Sequence, residues 1–326
     1  MIADSLRKVK WVFHRSKAYH SFIRQEIKGY RDSISSIKML KKRMALISHS
    51  LEKGAGIRNS RNGYGKEKAK KLIAVLDNYL YKKGETDCWE FIEAVNVLEF
   101  YLELSRNEPD ISDLKKSYQM VREKYPDVNF HEHEFRVGFA ELPAYDLCLG
   151  GEACSALQKA LLKRRTIRFF AKENIDESIV QNILHLAQTA PSACNRQPVR
   201  VYYSMDQDKN LLVDECIPGS LSFRGEVPYF FVVTADRLAF NDDELFQWYV
   251  NGGIYVGYLT LAIHAYGLGS IVFQWPSVCP QEEKLRKTVR IPKDEIVVAI
   301  VGYGKIDKQV KCLEAERRKS GYSIRY

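Results

Sequence analysis

The chain has 326 residues, of which 45% are hydrophobic and 28% are charged. This balance excludes disordered and fibrous classes and is typical of a soluble globular protein. A length above ~250 residues allows two domains, each with its own core. The chain has no run of about 18 uncharged apolar residues, and its basic start lacks the apolar core of a signal peptide, so we expect a cytoplasmic protein.

Cysteines and histidines give no sign of a metal or disulfide framework. The seven cysteines are scattered and never spaced as Cys-x-x-Cys, which argues against both disulfides and structural zinc. His131-Glu132-His133-Glu134 offers metal-ligand residue types, but its histidines are two residues apart and no third ligand is in view. We therefore predict no metal site.

Charge is distributed unevenly along the chain. Residues 1–83 hold 21 Lys and Arg against 6 Asp and Glu, residues 84–150 hold 6 against 15, and the remainder holds 23 against 20. The basic segment could contact an anionic membrane surface, nucleic acid or a polyanionic glycan, or remain a solvated surface partly neutralised by the acidic segment. We disfavour nucleic acid. Peripheral contact with the inner membrane face is the alternative to a purely cytoplasmic location.

The first 150 residues are predicted to form a mainly helical extension. Apolar residues at a period of about 3.5 predict a helix that packs against its neighbours; they are Ile23, Ile27, Tyr30, Ile34, Ile37 and Met44. Residues 54–65 predict a loop, and further helices are predicted over residues 66–81, 88–105 and 110–123 because turn residues bound each of them. Residues 126–150 predict a connection to a second domain, residues 151–326.

Helices and strands alternate in the second domain, which predicts an α+β fold. Helices are predicted over residues 153–162 and 243–266, and a third is predicted between them, with Asp176 as its N-cap and its end before Pro191. Strands are predicted over residues 199–203, 229–234, 270–273 and 296–301. The last helix contains Gly252, Gly253 and Gly257, which would cost about 1 kcal/mol each. Close approach of another backbone would compensate that cost.

Two clusters of residues point to a nucleotide-like ligand. Arg164, Arg165 and Arg168 fall within five residues, and each guanidinium is a planar charged fork that suits a phosphate. After one helix length, residues 191–198 read Pro-Ser-Ala-Cys-Asn-Arg-Gln-Pro. Prolines stop the helix there, and backbone amides, a hydroxyl and two carboxamides remain available for the edge of a flat heterocycle.

In this order and spacing, the two clusters resemble the nitroreductase family, which binds flavin mononucleotide (FMN). Residues 252–270 and 296–304 resemble that family's central helix with its glycine-rich end and its closing strand. The resemblance covers about half of the chain. It implies a mixed or antiparallel sheet flanked by helices, a homodimer, and ping-pong hydride transfer from NAD(P)H through flavin N5 to a small-molecule substrate.

The resemblance also assigns cofactor-binding residues. Around the ribityl phosphate it places Arg164, Arg165, Thr166 and Arg168, with Arg317 or Arg318 closing from the other side. Against the ring of the partner subunit's flavin it places Pro191, Ser192, Ala193, Asn195 and Gln197. Near flavin N5 it places Gln274 and Trp275. The family often has an aromatic residue where this chain has Val199, and no catalytic side chain is assigned.

Two alternatives and one weaker resemblance remain open. The domain could be a non-catalytic dimeric scaffold or sensor, or a flavin oxidase or dehydrogenase that passes electrons elsewhere. The segment His49-Ser50-Leu51-Glu52-Lys53-Gly54 resembles one in nitroreductase-like proteins with an N-terminal extension, some linked to polysaccharide biosynthesis. It also reads as a helix that ends at a glycine. Gly302-Tyr303-Gly304 lacks a dinucleotide fingerprint and predicts the end of a strand.

Overall fold

The computed structural model describes residues 2–33, 36–55, 64–105, 111–130, 151–241, 243–276, 279–310 and 312. These residues form ten α-helices and four strands, and the strands make one antiparallel sheet. The predicted α+β class is confirmed. None of the helices described is long and apolar enough to cross a membrane. Residues 131–150 lie outside this set, so the predicted domain boundary there stays a prediction.

The described part of the N-terminal extension is helical. Its helices are α1 (Ile2–Ser33), α2 (Ser36–Ala55), α3 (Lys66–Tyr81), α4 (Trp89–Leu104) and α5 (Ile111–Lys124). Helices α2 to α5 pack around one apolar core that includes Met44, Leu72, Leu76 and Leu98, all fully buried. The three helices predicted between residues 66 and 123 are confirmed to within one residue at each end.

The apolar stripe predicted across residues 23–44 is only partly buried. Met44 is fully buried and Ile37 packs against the core. The prediction is wrong for Ile23 and Ile27, whose side chains are 51% and 63% exposed. The side chains of Tyr30 and Ile34 lie outside the described residues. The stripe therefore lies on helices, but its residues Ile23 and Ile27 face away from the core.

The second domain places helices on both faces of the sheet. Its helices are α6 (Gly151–Lys163), α7 (Glu177–Ala187), α8 (Gln207–Asp214), α9 (Gln247–Ala265) and α10 (Glu282–Val289). Its strands are β1 (Val199–Tyr202), β2 (Tyr229–Asp236), β3 (Leu268–Gln274) and β4 (Glu295–Lys305). The strand order is β1-β2-β4-β3, so β1 and β3 form the two edges.

The two central strands are almost entirely buried, which explains their continuous apolar sequence. Helices α7 and α9 cover one face, where the rings of Phe231 and Tyr303 stack with centroids 4.1 Å apart. The other face packs on a separate cluster that includes Phe230 and Leu285. Each edge of the sheet carries one of the two residue clusters that the sequence singled out.

Helix boundaries in the second domain differ from prediction at three places. Helix α9 begins at Gln247 rather than at residue 243, because Phe246 has a left-handed backbone (φ 66°) that a helix interior does not accept. Helices α8 and α10 were not predicted. Both span only eight residues, which is too short for apolar spacing alone to establish a helix.

One of the three glycines in α9 is explained within a single protomer. A Cβ on Gly252 would lie 2.6 Å from Cγ2 of Val298 in β4, a separation that no real side chain adopts. Glycine therefore allows α9 to approach the sheet closely. A Cβ on Gly253 or Gly257 would meet no atom within 4 Å, so packing inside the protomer does not require these two glycines.

The N-terminal extension docks on the second domain through specific polar contacts. Glu26 of α1 forms an ion pair with Arg237 at 3.2 Å, and the Arg237 side chain is 6% exposed. Phe22 stacks on Phe246 with ring centroids 5.9 Å apart. Lys38 of α2 pairs with Asp294, which precedes β4. Some of the basic charge of the extension is therefore used to hold it against the second domain.

Candidate functional site

The arginine cluster follows α6 and runs beside the edge strand β3. Thr166 forms a parallel bridge with Ser270, and the N–H of Ile167 donates to the Ser270 carbonyl at 2.9 Å. Ile167 is buried, whereas Thr166 is half-buried and Arg168 is exposed. This short strand-like segment fixes which side chains face the core and leaves its charged neighbours at the surface.

The three guanidiniums have different surroundings. That of Arg165 donates to the backbone carbonyls of Leu162 and Arg164 at the end of α6. Among the described residues, Arg164 and Arg168 make no hydrogen bond or ion pair with a carboxylate. Two guanidiniums without an acidic partner fit an exogenous anion such as a phosphate. Arg165 instead has a local role in capping the helix.

His264 of α9 lies close enough to the arginine cluster to be affected by its positive charge. Burial lowers the pKa of His264, and the positive charge of Arg164 lowers it further. The imidazole is therefore neutral near pH 7, and the positive charge of the site comes from the arginines. Proximity to Arg164 also shows that the C-terminal end of α9 lies beside the arginine cluster.

Residues 192–197 form a tight loop with an unusual backbone. Three residues other than glycine have left-handed backbones: Cys194 (φ 51°), Asn195 (φ 49°) and Gln197 (φ 44°). Such conformations cost of order 1–3 kcal/mol each and persist only where the surroundings enforce them. The Ser192 hydroxyl closes the loop by accepting the N–H of Gln197 at 3.0 Å. Strain of this kind is concentrated at ligand clamps.

Side chains from outside the loop hold it in place. The Asn251 side chain of α9 accepts the N–H of Ala193 at 2.7 Å. The buried guanidinium of Arg196 makes a two-pronged contact with Glu244, at 2.6 and 3.1 Å, and lies 5.5 Å from the centroid of the Phe240 ring. Hydrogen bonding from Arg196 lowers the pKa of Glu244, so this carboxylate stays ionised.

Helix α2 also packs against the loop. Burial, together with the charges of Lys53 and Arg196, lowers the pKa of His49, which places the His49–Gly54 segment at the end of α2 close to the loop. The anchors Asn251 and Glu244 were missed by sequence reasoning. No local signal identifies them, because each acts on a residue about 50 positions away in the chain.

Some polar groups of the loop remain available for a ligand. Pro191 and Asn195 are exposed, and Ser192, Ala193 and Gln197 are half-buried. The side-chain oxygen of Gln197 accepts the side-chain N–H of Gln188 at 3.0 Å, which orients the Gln197 carboxamide. The loop therefore presents a fixed backbone and a few oriented side chains, and its binding of a heterocycle stays a prediction.

The remaining predicted site residues are only partly described. Gln274 ends β3 and is exposed, while Trp275 is buried and its indole Nε1 has no hydrogen-bond partner. Arg317 and Arg318 lie outside the described residues, as does His131–Glu134. Within the part of the chain that the structure describes, no three His, Cys, Asp or Glu side chains group as metal ligands.

A cleft of about 880 Å³ opens between α2 and the loop. Gln197 and Arg200 line it from the second domain, and Lys41 lines it from α2. Its walls carry six basic and five acidic side chains, so its charge does not select for an anion. Burial raises the pKa of Asp236 in its wall to about 6.

One protomer does not bring the arginine cluster and the loop together. Thr166 is held at Ser270, which pairs with Tyr303 of β4, whereas Pro198 is bonded to Asp236, which pairs with Glu295 of β4. Glu295 and Tyr303, the β4 residues level with the loop and with the arginine cluster, are eight residues apart, which is about 26 Å along the strand. Across the sheet, the edge strands β1 and β3 lie about 14 Å apart. The clusters occupy opposite corners of the sheet, farther apart than a mononucleotide reaches.

An apolar surface is exposed near these corners. Helix α9 shows Val250, Gly253, Ile254, Gly257 and Tyr258 on one face, at helical spacings of three and four residues. The side chains of Val250, Ile254 and Tyr258 are exposed. Helix α6, which packs on α9, also exposes its leucines, and these are Leu157, Leu161 and Leu162. Helices that expose such a continuous face mark an interaction surface.

Comparisons with known proteins point to one family. Residues 161–216 match the model of the nitroreductase family. A protein named NADH dehydrogenase from Thermus thermophilus is 29% identical over 44% of this chain and 84% of its own length. One named FMN reductase [NAD(P)H] from Bacillus subtilis is 26% identical over 41% of this chain and 59% of its own.

Solved structures resemble about half of the chain. A structure titled FMN-dependent nitroreductase, from Clostridium difficile R20291, is 24% identical, with a TM-score of 0.42, over 48% of this chain and 91% of its own. The family match covers the arginine cluster and the loop. The resemblance predicted from those residues is therefore confirmed, with the helices α1 to α5 as the predicted extension.

Proposed function

Because residues 161–216 match the nitroreductase family, we propose that the chain is an FMN-dependent oxidoreductase. The proposed enzyme is a homodimer that takes electrons from NAD(P)H and passes them to a small-molecule substrate. Bound FMN would supply the hydride-accepting ring, and no side chain of the protein carries the redox step. The names of the relatives from Thermus thermophilus and Bacillus subtilis support this activity class.

The residues present fit FMN. Arg164 and Arg168 offer two guanidiniums without carboxylate partners to the phosphate, and Thr166 adds a hydroxyl between them. The loop from Ser192 to Gln197 offers a rigid backbone to the ring, because three left-handed residues and three anchors fix its shape. Arg165 caps α6 in the structure, so we expect it to contribute its positive charge to the site rather than a two-pronged hydrogen bond to the phosphate.

The observation that supports the proposed homodimer is the separation of the two clusters within one protomer. Since they lie at opposite corners of the sheet, a single flavin can contact both only if the loop of one subunit meets the arginines of the other. The exposed apolar faces of α6 and α9 supply a surface for that pairing. Gly253 and Gly257 leave room there for a second helix to approach closely.

An anaerobic reduction experiment tests the proposal. Purified full-length protein is expected to show flavin absorbance, to bleach on addition of NADH or NADPH, and to regain its colour with an electron acceptor such as a quinone or a nitroaromatic compound. Protein that remains colourless after incubation with excess FMN would refute the proposal and favour the scaffold alternative. Protein that binds FMN but is not bleached by either nucleotide would favour the oxidase or dehydrogenase alternative.

A further inference from the structure

The first half of α1 extends away from the rest of the described chain. Every side chain that the structure describes between residues 10 and 20 is exposed. Phe22 and Glu26 contact the second domain directly, and Arg15, Ala18 and Tyr19 line a small pocket against Phe246 and Tyr249. An isolated helix of this length has marginal stability in water, since most helical stability in proteins comes from packing. This part of α1 is therefore expected to pack against a partner surface.

The exposed surface of α1 is divided into an apolar stripe and a cationic row. At about 100° per residue, five exposed apolar side chains fall within an arc of about 120°, and they are Val12, Phe13, Tyr19, Ile23 and Ile27. Lys10, Lys17 and Arg24 fall within about 40° of one another directly beside that arc. At the same spacing Glu26 falls about 20° from Tyr19 at the edge of the arc and Phe22 about 40° farther round, and the second domain contacts both.

We propose that this surface of α1 binds an anionic bilayer, with the apolar stripe at the acyl boundary and the cationic row among the headgroups. Residues 5–31 contain eight Lys and Arg and a single acidic residue, Glu26. That carboxylate lies at the edge of the stripe and is engaged by Arg237. The exposed surface is therefore predominantly cationic, which complements anionic lipid and disfavours a second copy of the same helix.

The arrangement is that of a helix that lies on a membrane rather than one that spans it. Interfacial helices combine a strongly basic polar side with aromatic and aliphatic residues on the other, and no described helix is apolar enough to span. Docking through Phe22 and Glu26 would hold the second domain beside the lipid surface. This inference stands independently of the flavin.

Co-sedimentation of the full-length protein with lipid vesicles tests the inference. Vesicles of phosphatidylcholine mixed with phosphatidylglycerol are expected to retain the protein at low salt, and pure phosphatidylcholine vesicles to leave it in solution. Each Lys or Arg near an anionic membrane contributes about 1 kcal/mol, so K10E/K17E/R24E should weaken binding by about a hundredfold or more. The stripe variant I23Q/I27Q keeps the charge and should weaken binding at least tenfold.

A matched control has the same change in net charge elsewhere. Lys70, Lys71 and Lys116 are exposed on α3 and α5, and K70E/K71E/K116E should bind like the parent. If this control lost as much vesicle binding as K10E/K17E/R24E, binding would depend only on the net charge of the protein, and the proposal would be overturned. So would a parent that stays in solution with anionic vesicles, or a stripe variant that binds normally.

Sedimentation of the lipid-free protein tests the remaining alternative, that the stripe is an interface between protein subunits. The parent and I23Q/I27Q are expected to have the same oligomeric state. A smaller oligomer for I23Q/I27Q would show that the stripe is a protein interface, and the membrane proposal would fail.

Discussion

The side-chain oxygen of Asn251 accepts the main-chain N–H of Ala193 at 2.7 Å, across 58 residues of sequence. Asn251 is 3% exposed, and its amide nitrogen donates to the Gln247 carbonyl at 2.7 Å. One buried carboxamide thus connects the first turns of α9 to the start of the strained loop. Helix α9 therefore sets the position of the loop that we propose clamps the flavin.

Truncation of this carboxamide should loosen the loop. In N251A the N–H of Ala193 loses its partner, at a cost of about 1–3 kcal/mol. We expect the dissociation constant for FMN, measured by fluorescence titration, to rise at least tenfold. The control T260A removes a buried hydroxyl from α9, one that bonds Gly257 far from the loop, and should bind FMN normally. Equal weakening in both variants would mean that α9 acts only through general stability.

The arginine cluster gives a second prediction. Since charge-assisted hydrogen bonds contribute about 1.5–3 kcal/mol, removal of both Arg164 and Arg168 should leave a folded protein that is purified without flavin. The absorbance ratio of flavin to protein measures this. The control K172A/K308A also removes two exposed positive charges from the second domain and should retain flavin. Full occupancy in R164A/R168A would exclude these residues from the site.

Much of the fold could be predicted from sequence because local signals bound its elements. Gly65 and the Lys-Lys-Gly that follows Tyr81 mark the ends of α3, and Asp176 caps α7 by accepting the N–H of Ser178. Helix α10 could not be predicted, since its single pair of apolar residues in eight, Leu285 and Val289, is too short a pattern to establish a helix. Period alone did not reveal which turns of α1 and α2 reach a core, as the exposed Ile23 and Ile27 show.

The site was predicted less completely than the fold. The residue types at 164–168 and 191–198 indicate what chemistry the clusters suit. They do not reveal that the clusters lie at opposite corners of the sheet, because that depends on strand order and register. The anchors Asn251 and Glu244 likewise depend on tertiary pairing that no local pattern encodes.

Mixing two defective proteins tests whether the site is shared between subunits. R164A/R168A should fail at the phosphate, and N195A/Q197A should fail at the loop. A heterodimer of the two contains one site built entirely from unchanged residues, so dissociation and reassociation of the mixture should restore part of the flavin binding. Each variant reassociated with itself should remain empty. Without restoration in a verified heterodimer, the shared site would be refuted.

Glu93 of α4 gives a prediction about pH and stability. It is 1% exposed and neither carboxylate oxygen has a hydrogen-bond partner. Burial raises the pKa of Glu93 to about 8, with further contributions from the charges of Glu52 and Glu90. The folded protein therefore keeps this carboxyl neutral at pH values where the unfolded chain, with a pKa near 4.5, has already released the proton.

Because the folded state binds the extra proton, Glu93 makes stability fall as pH rises from about 4.5 to about 8, by up to about 1.4 kcal/mol per pH unit. Above that range both states are ionised and the effect is constant. E93Q keeps the shape of a neutral carboxyl and removes this dependence. Its free energy of unfolding, measured by urea denaturation, should exceed that of the parent by a margin that grows between pH 6 and pH 8. E67Q on α3 changes an exposed carboxylate and should give no such trend; the same trend in both variants, or none in E93Q, would contradict a neutral buried Glu93.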